Sequence, residues 1–195
     1  GHVTDNATAL AGLTPAPPAL ALLATVRPEP LGESAVDPAG SRQATDPVIT
    51  RALLAVATAR WIGDPWTALV VRTLPNDPGK RYRQYEGPCP AAYFTADAMH
   101  WIVERDVTSL VVDLPSLDRA DDGGSLTAHR VYWGLPTDAA NAAQARRGRA
   151  LVTELAYVPE TATDGLYLLD LQVPAFAADA APSRPVLYPV REIAP

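Results

Sequence analysis

Two runs of aliphatic and β-branched residues, separated by one amphipathic segment, restrict the fold of this chain more than any other feature. The runs cover residues 68–73 and 109–113, and turn-forming residues at 74–79 end the first of them. This pattern predicts two buried strands. The segment between them, 95–105, starts with Thr95 as a helix N-cap and predicts an amphipathic helix. Strand, helix and strand with short connections are typical of an α/β layer.

The rest of the chain extends this α/β pattern. Asp46 as N-cap and Pro47 at the first helical position predict a helix over residues 47–60. A third helix is predicted over residues 125–133, before a polar, Arg-rich insertion. Further strands are predicted over residues 19–26, 151–157, 166–173 and 185–190. We therefore expect one α/β domain over residues 1–195, with a mixed, largely buried sheet packed against helices.

Composition and charge exclude several classes of partner. Apolar residues make up 48% of the chain and charged residues 19%, which favours a globular protein over a disordered one. The net charge is −6, and the short basic clusters at 80–83 and 146–149 are interpreted as solvated faces, so we expect no nucleic-acid partner. The longest apolar stretch, 18–26, is too short to span a bilayer, so no membrane partner is expected. A cytoplasmic location is expected, with a signal peptide upstream of the given residues as the alternative. The single cysteine, Cys89, cannot form an intramolecular disulfide and is interpreted as a packed residue.

His129 is the most informative polar residue, because the chain has only 3 histidines and this one follows an acidic turn. The strand that ends in Asp113 leads into this turn, and His129 lies in the first turns of the predicted helix. From the residues alone, a lone histidine of this kind is more often a packed helix residue than a metal ligand. The acids of the turn lack the spacing of a calcium-binding loop.

Four segments in unbroken order carry a family resemblance. They are YFTADAMHWIVERDVTSLVVDLPSLDR, LTAHRVYWGL, VTELAYVPE and DLQVPAFAADAAPSRPVLYPV, within roughly residues 64 to 191. Together they resemble the cyclase family, the metal-dependent hydrolases related to bacterial kynurenine formamidase. The resemblance implies the swivelling β/β/α fold of that family and a divalent metal ion, Zn or Mn. It also implies a homodimer or homotetramer for the complete protein.

The same resemblance implies roles for individual residues. His129 and Glu154 would be metal ligands, and Glu154 could bridge two ions. His2 would be the general acid/base, and the remaining ligands of the family would precede it. The chain is therefore expected to lack its N-terminal portion, although His2 could also be a cloning remnant. The residues expected to contact substrate or to support the ligands are Tyr93, Asp113, Ser116, Asp118 and Trp133.

The implied chemistry is hydrolysis of a small-molecule, non-peptide amide. Metal-bound water becomes hydroxide near neutral pH and attacks a carbonyl that the metal polarises, while His2 carries a proton to the leaving amine. The alternative is a non-catalytic fragment or small-molecule binding module that keeps the fold without a complete metal site. We also predict that the His129 imidazole and the Glu154 carboxylate converge on one cavity, because a helix start and a strand start can share one edge of a sheet.

Overall fold

The computed structural model describes residues 9, 12, 17–32, 43–85, 91–136, 142–178 and 180–190. The strands of this part of the chain are β1 (Ala19–Val26), β2 (Glu29–Pro30), β3 (Pro47–Ile49), β4 (Ala68–Thr73), β5 (Tyr93–Phe94), β6 (Ser109–Val112), β7 (Leu151–Thr153), β8 (Gly165–Gln172) and β9 (Arg184–Pro189). Its α-helices are α1 (Arg51–Thr58), α2 (Ala96–Glu104) and α3 (Thr127–Trp133).

A six-stranded mixed sheet forms the centre of the fold, in the order β7-β6-β4-β1-β8-β9. Strands β1, β4, β6 and β7 are parallel to one another, and β8 and β9 are antiparallel to their neighbours. A smaller sheet has the order β2-β3-β5. Every residue of β4 and β6 is buried, as expected for central parallel strands covered on both faces. The predicted α/β fold with a mixed sheet and packed helices is confirmed.

The sheet separates two clusters of buried apolar side chains. On β1, Leu22 and Ala24 point into the larger cluster, which also contains Leu54 of α1 and Ile102 of α2. The intervening Leu23 points to the opposite face, into a smaller cluster with side chains of β8. This alternation follows from the two-residue period of a β-strand. The helices therefore cover one face of the sheet, and the carboxyl ends of its parallel strands stay at one edge.

The helix predicted over residues 47–60 begins later than the sequence indicates. Residues Pro47–Ile49 form β3, which pairs with β2 and β5. The N-cap is Thr50, whose side-chain oxygen accepts the Leu53 N–H at 3.3 Å. Asp46 is buried and binds Arg119 at 2.8 Å, so the interpretation of Asp46 as the N-cap is wrong. Burial of Val48 and Ile49 between strands outweighs the local helix-start signal.

The strand predicted over residues 151–157 stops at Thr153, and this early end matters for the site. Leu155 has a φ of 56°, in the left-handed region, so the extended chain cannot continue through it. Its N–H donates to the Leu114 carbonyl at 2.8 Å, and the Ala156 N–H donates to the Val112 carbonyl at 3.0 Å. Glu154 is therefore the first residue beyond the ladder, and the hydrogen bonds of the two residues that follow it fix it at the sheet edge.

The basic clusters at 80–83 and 146–149 are not wholly solvated, contrary to the prediction, because one cation of each is at least half-buried. Lys80 is buried. Arg147 is half-buried and donates hydrogen bonds to the carbonyls of Tyr132, at 2.6 Å, and of Val107. Arg147 thus joins the end of α3 to the turn before β6. Within the described ranges, no helix has the length and apolar character that a bilayer crossing requires.

Candidate metal site

The candidate site lies at the carboxyl edge of the parallel strands. Glu154 follows β7 directly, and Asp113 follows its parallel neighbour β6. The loop after β6 leads to α3, whose first turn carries His129. The carboxyl ends of parallel strands in an α/β sheet are where loops converge and ligands usually bind. The topology therefore brings residues from distant parts of the sequence to one edge.

Asp118 fixes the start of α3. The residue before this helix, Leu126, has a φ of 46° and offers no capping side chain. The Asp118 carboxylate accepts hydrogen bonds from the backbone N–H groups of Ala128 at 2.5 Å and of His129 at 3.2 Å. The same carboxylate lies 2.6 Å from Nδ1 of His129. One buried acid therefore caps the helix and orients the imidazole ring.

The other ring nitrogen of His129 faces Glu154. Nε2 lies 3.3 Å from Oε1 of Glu154, and this oxygen also accepts the Leu117 N–H at 2.9 Å. The His129 side chain is 12% exposed and that of Glu154 is 29% exposed, so the pair lies at the protein surface but is not fully solvated. Two atoms that bind one tetrahedral ion through bonds of about 2.0–2.1 Å are about 3.3 Å apart. The spacing suits two ligands of one ion.

The charges around His129 favour a cation at the ring. Burial lowers the pKa of His129, but the hydrogen bonds and negative charges of Asp118 and Glu154 outweigh burial and raise the pKa from 6.5 to about 9. The imidazole therefore keeps its second proton at neutral pH when no other cation is bound. A divalent ion would replace that proton on Nε2, where the same two carboxylates would favour it.

The donor set fits a divalent metal ion, but it is incomplete within the described part of the chain. Imidazole nitrogen and carboxylate oxygen are ligands of Zn and of Mn. A catalytic zinc site has three protein ligands, and no group of three or more His, Cys, Asp or Glu side chains suited to one ion occurs among the described residues. His2 lies outside those residues. The structure thus brings His129 and Glu154 together, and their role as ligands stays a prediction.

Asp113 has different partners from those expected. Its Oδ2 accepts the Thr73 N–H at 2.8 Å and lies 2.7 Å from Nζ of Lys80, while Oδ1 accepts the Thr73 hydroxyl at 2.9 Å. The Asp113 side chain has no exposed surface, so it does not reach a substrate in this conformation. Its hydrogen bonds also do not go to α3. Asp113 therefore joins the ends of β4 and β6 rather than holding the helix of His129.

Ser116 and Trp133 support the pair formed by Asp118 and His129. The Ser116 hydroxyl accepts the Asp118 N–H at 3.1 Å, which fixes the backbone of the acid. The Trp133 ring centre lies 5.3 Å from that of His129, one turn further along α3. Its indole N–H donates to the Ala150 carbonyl at 2.8 Å. Both side chains are therefore placed to restrict the imidazole.

Tyr93 lies on the other side of Asp118. It lines a cavity of about 60 Å³ together with Asp118 and Arg119, and its hydroxyl donates to Asp46 at 3.3 Å. His129 and Glu154 do lie close together, at 3.3 Å, as expected. They do not, however, line this cavity.

Sequence reasoning missed two contributors to this edge. The Leu117 N–H holds Glu154, and a backbone donor of this kind has no sequence signal. Lys80 pairs with Asp113, and here a signal was available: an acid at the end of a strand expected to be buried requires a buried partner. The nearest basic cluster along the chain, interpreted as solvated, contains that partner.

Comparison with known proteins supports the fold. No protein-family model matches the chain, and no curated protein sequence matches it. The chain is similar to the structure of a potential metal-dependent hydrolase with cyclase activity, with a TM-score of 0.52, 14% identity and 87% of this chain covered. It is similar to a predicted metal-dependent hydrolase from Bacillus stearothermophilus, with a TM-score of 0.52, 14% identity and 91% covered. It is also similar to an isatin hydrolase bound to the product analogue thioisatinate, with a TM-score of 0.50, 16% identity and 85% covered.

These similarities show a shared fold. The chain spans 64%, 68% and 58% of the length of the three structures. The chain therefore shares its mixed α/β architecture with these three structures. At 14–16% identity the likeness extends to the arrangement of strands and helices, and not to the chemistry of the site.

Proposed function

We propose that the complete protein is a metal-dependent hydrolase of a non-peptide amide, similar in activity to a formamidase. In this proposal His129 and Glu154 bind its divalent ion, Zn or Mn. One observation carries the proposal: the imidazole is held at Nδ1 by Asp118, while Nε2 lies 3.3 Å from a Glu154 oxygen. The shared fold with proteins named as metal-dependent hydrolases supports the class of activity.

Each residue of the site has a distinct task in this proposal. Asp118 accepts the Nδ1 proton, which fixes the tautomer and leaves Nε2 as the metal-binding nitrogen. Glu154 supplies an anionic oxygen whose position is set by the Leu117 N–H. The ion, when bound, supplies a nucleophilic water near neutral pH and polarises the amide carbonyl. His2 would carry a proton to the leaving amine.

The exposed side of Glu154 indicates where the small-molecule substrate would approach. Asp118, which contacts the His129 ring, is buried, whereas the Glu154 side chain is 29% exposed. A substrate approaching from solvent would therefore meet Glu154 before His129, whose side chain is 12% exposed. Asp118 would stay out of contact with the substrate and act on His129 alone.

Metal analysis with a matched pair of histidine variants tests the proposal. His100 is exposed on α2, so His100→Ala is the control for His129→Ala. In the full-length protein, dialysed and analysed by inductively coupled plasma mass spectrometry, the wild type and His100→Ala should keep stoichiometric Zn or Mn, and His129→Ala should lose it. The wild type and His100→Ala should hydrolyse an N-formyl aromatic amine, and His129→Ala should not.

Two outcomes would contradict this function. Equal metal content in His129→Ala and the wild type would remove His129 from the ligand set. Absence of stoichiometric metal from the full-length protein would favour the non-catalytic binding module instead.

A further inference from the structure

A second group of buried polar side chains lies at the same sheet edge as the candidate metal site. The Lys80 ammonium donates to the Thr73 carbonyl at 2.9 Å, to the Thr73 hydroxyl at 2.6 Å and to Asp113 at 2.7 Å. The side chains of Lys80 and Asp113 are 4% and 0% exposed. All three donors of the ammonium are thus satisfied. The group joins the carboxyl end of β4 to the carboxyl end of β6.

The backbone segment that contains Asp113 makes hydrogen bonds to both proposed metal ligands. On either side of Asp113, the carbonyls of Val112 and Leu114 accept the N–H groups of Ala156 and Leu155, the two residues that follow Glu154. Four residues after Asp113, the Leu117 N–H binds the Glu154 carboxylate. The next residue, Asp118, binds the ring of His129. The segment 112–118 therefore contacts both ligands.

We propose that Lys80 is a positioning residue for the candidate metal site and acts through Asp113. The ion pair fixes the end of β6. It thereby fixes the position from which segment 112–118 offers the Leu117 N–H to Glu154 and the Asp118 carboxylate to His129. Lys80 itself touches neither ligand. That the site binds a metal rests on the proposed function. The contact between Glu154 and segment 112–118, which Lys80 is proposed to maintain, is seen in the structure itself.

Stability alone does not account for this pair. Replacing a buried ion pair by neutral side chains of similar volume is often neutral or stabilising, because two charges no longer have to be desolvated. Such a pair instead restrains geometry. The ammonium contacts three oxygen atoms at fixed positions and so sets the spacing between the ends of β4 and β6. Loss of the charges should therefore release the strand ends even where the protein remains folded.

Hydrogen exchange in the metal-free chain tests this directly. The variant is Lys80→Met/Asp113→Asn, which removes both charges together and avoids an unpaired buried ion. We expect its thermal midpoint to stay close to that of the wild type. Amide protection at Leu117 and Leu155 should fall by about 10-fold or more, because their acceptors at the site edge shift. The Thr108 N–H, bound to Thr67 at 2.8 Å at the opposite end of the same strands, is the internal control and should keep its protection.

A folded double variant with wild-type protection at Leu117 and Leu155 would show that the pair has no positioning role. An equal loss at Thr108 would show a general structural role instead. Should the double variant fail to fold, Thr73→Val provides the milder test, since it removes the hydroxyl that contacts both charges. Protection at Leu117 should again fall relative to Thr108, and unchanged protection would overturn the proposal.

Metal binding provides a separate measurement. The Zn affinity of the full-length double variant should be about 10-fold weaker than that of the wild type, in the range expected for loss of a residue behind the ligands. Unchanged affinity would contradict Lys80 as a positioning residue. If the full-length wild type binds no metal, the proposed function fails, whereas hydrogen exchange still decides whether Lys80 positions the Glu154 segment.

Discussion

Asp118 binds His129 at two points, the ring Nδ1 at 2.6 Å and the backbone N–H at 3.2 Å. Both points belong to one residue in the first turn of α3, so the start of the helix and the orientation of the ring depend on the same carboxylate. Ring nitrogens that bind metals usually have such a partner on the other nitrogen. The relationship therefore connects helix capping to the chemistry proposed for Nε2.

Asp118→Asn should weaken metal binding more than it weakens the fold. The amide keeps an oxygen that can cap α3 but loses the charge that favours a cation at His129. We expect Zn or Mn affinity to fall about 10- to 100-fold, measured by competition with a chelator of known affinity. Asp121→Asn, an exposed acid of the same turn, is the control and should bind metal as the wild type does. Equal metal affinity in both variants would show that Asp118 has no role in metal binding.

The stability of the metal-free protein should decrease as the pH rises from 6.5 to 9. The pKa of His129 is raised from 6.5 to about 9 in the folded protein, because Asp118 and Glu154 outweigh the opposing effect of burial. The protonated ring stabilises the fold fully below pH 6.5, and this contribution is lost as the pH passes through 9, by at most about 3 kcal/mol. Urea unfolding across this range measures it. His129→Gln should show a flatter profile, and an identical slope in both proteins would refute the assignment.

Glu154→Gln should lower the pKa of His129 without disturbing the backbone. A glutamine oxygen can still accept the Leu117 N–H, but the negative charge that helps to raise the pKa is removed. Titration of the metal-free protein by NMR should therefore give a His129 pKa below the wild-type value of about 9. Glu160→Gln, an exposed acid further along the same loop, should leave the pKa of His129 unchanged. A similar decrease in both variants would point to a general charge effect.

The sequence predicted correctly those parts of the fold whose secondary structure is determined by burial alone. The runs predicted at 68–73 and 109–113 form β4 and β6, which ends at Val112, and every residue of these strands is buried because both faces are covered. The start of α1 was mispredicted because Pro47 suits two local structures, the first turn of a helix and an edge of a strand pair. Pairing with β2 and β5 decided between them, and those partners are distant in sequence.

The candidate site was only partly predictable for a related reason. Asp113 and Asp118 are similar acids in one loop, yet one pairs with Lys80 and the other with His129. Sequence does not show which cation reaches which acid, because the choice depends on how the loops fold back over the sheet edge. Family resemblance, rather than composition, singled out His129 and Glu154, and the structure places them 3.3 Å apart.

Two arginine–carboxylate pairs of different exposure should respond differently to the same substitution. Arg72 contacts Asp164 at 3.1 Å with its own side chain 10% exposed, and it also donates to Thr25 and to the carbonyls of Pro159 and Ala162. Arg51 binds Glu104 at 2.8 Å, but these side chains are 47% and 56% exposed.

Arg72→Met removes a largely buried guanidinium together with all of its hydrogen bonds, so we expect it to lower the free energy of unfolding by about 3 kcal/mol. Arg51→Met removes an exposed pair that solvent already screens, and should cost less than about 1 kcal/mol. Urea unfolding of both variants at the same pH measures the difference. Arg72 fixes residues 159–164, which follow the Glu154 loop, to the ends of β1 and β4. If both variants lose equal stability, the contacts of Arg72 do not hold this segment, and the loop after Glu154 must be fixed by the Leu155 and Ala156 hydrogen bonds instead.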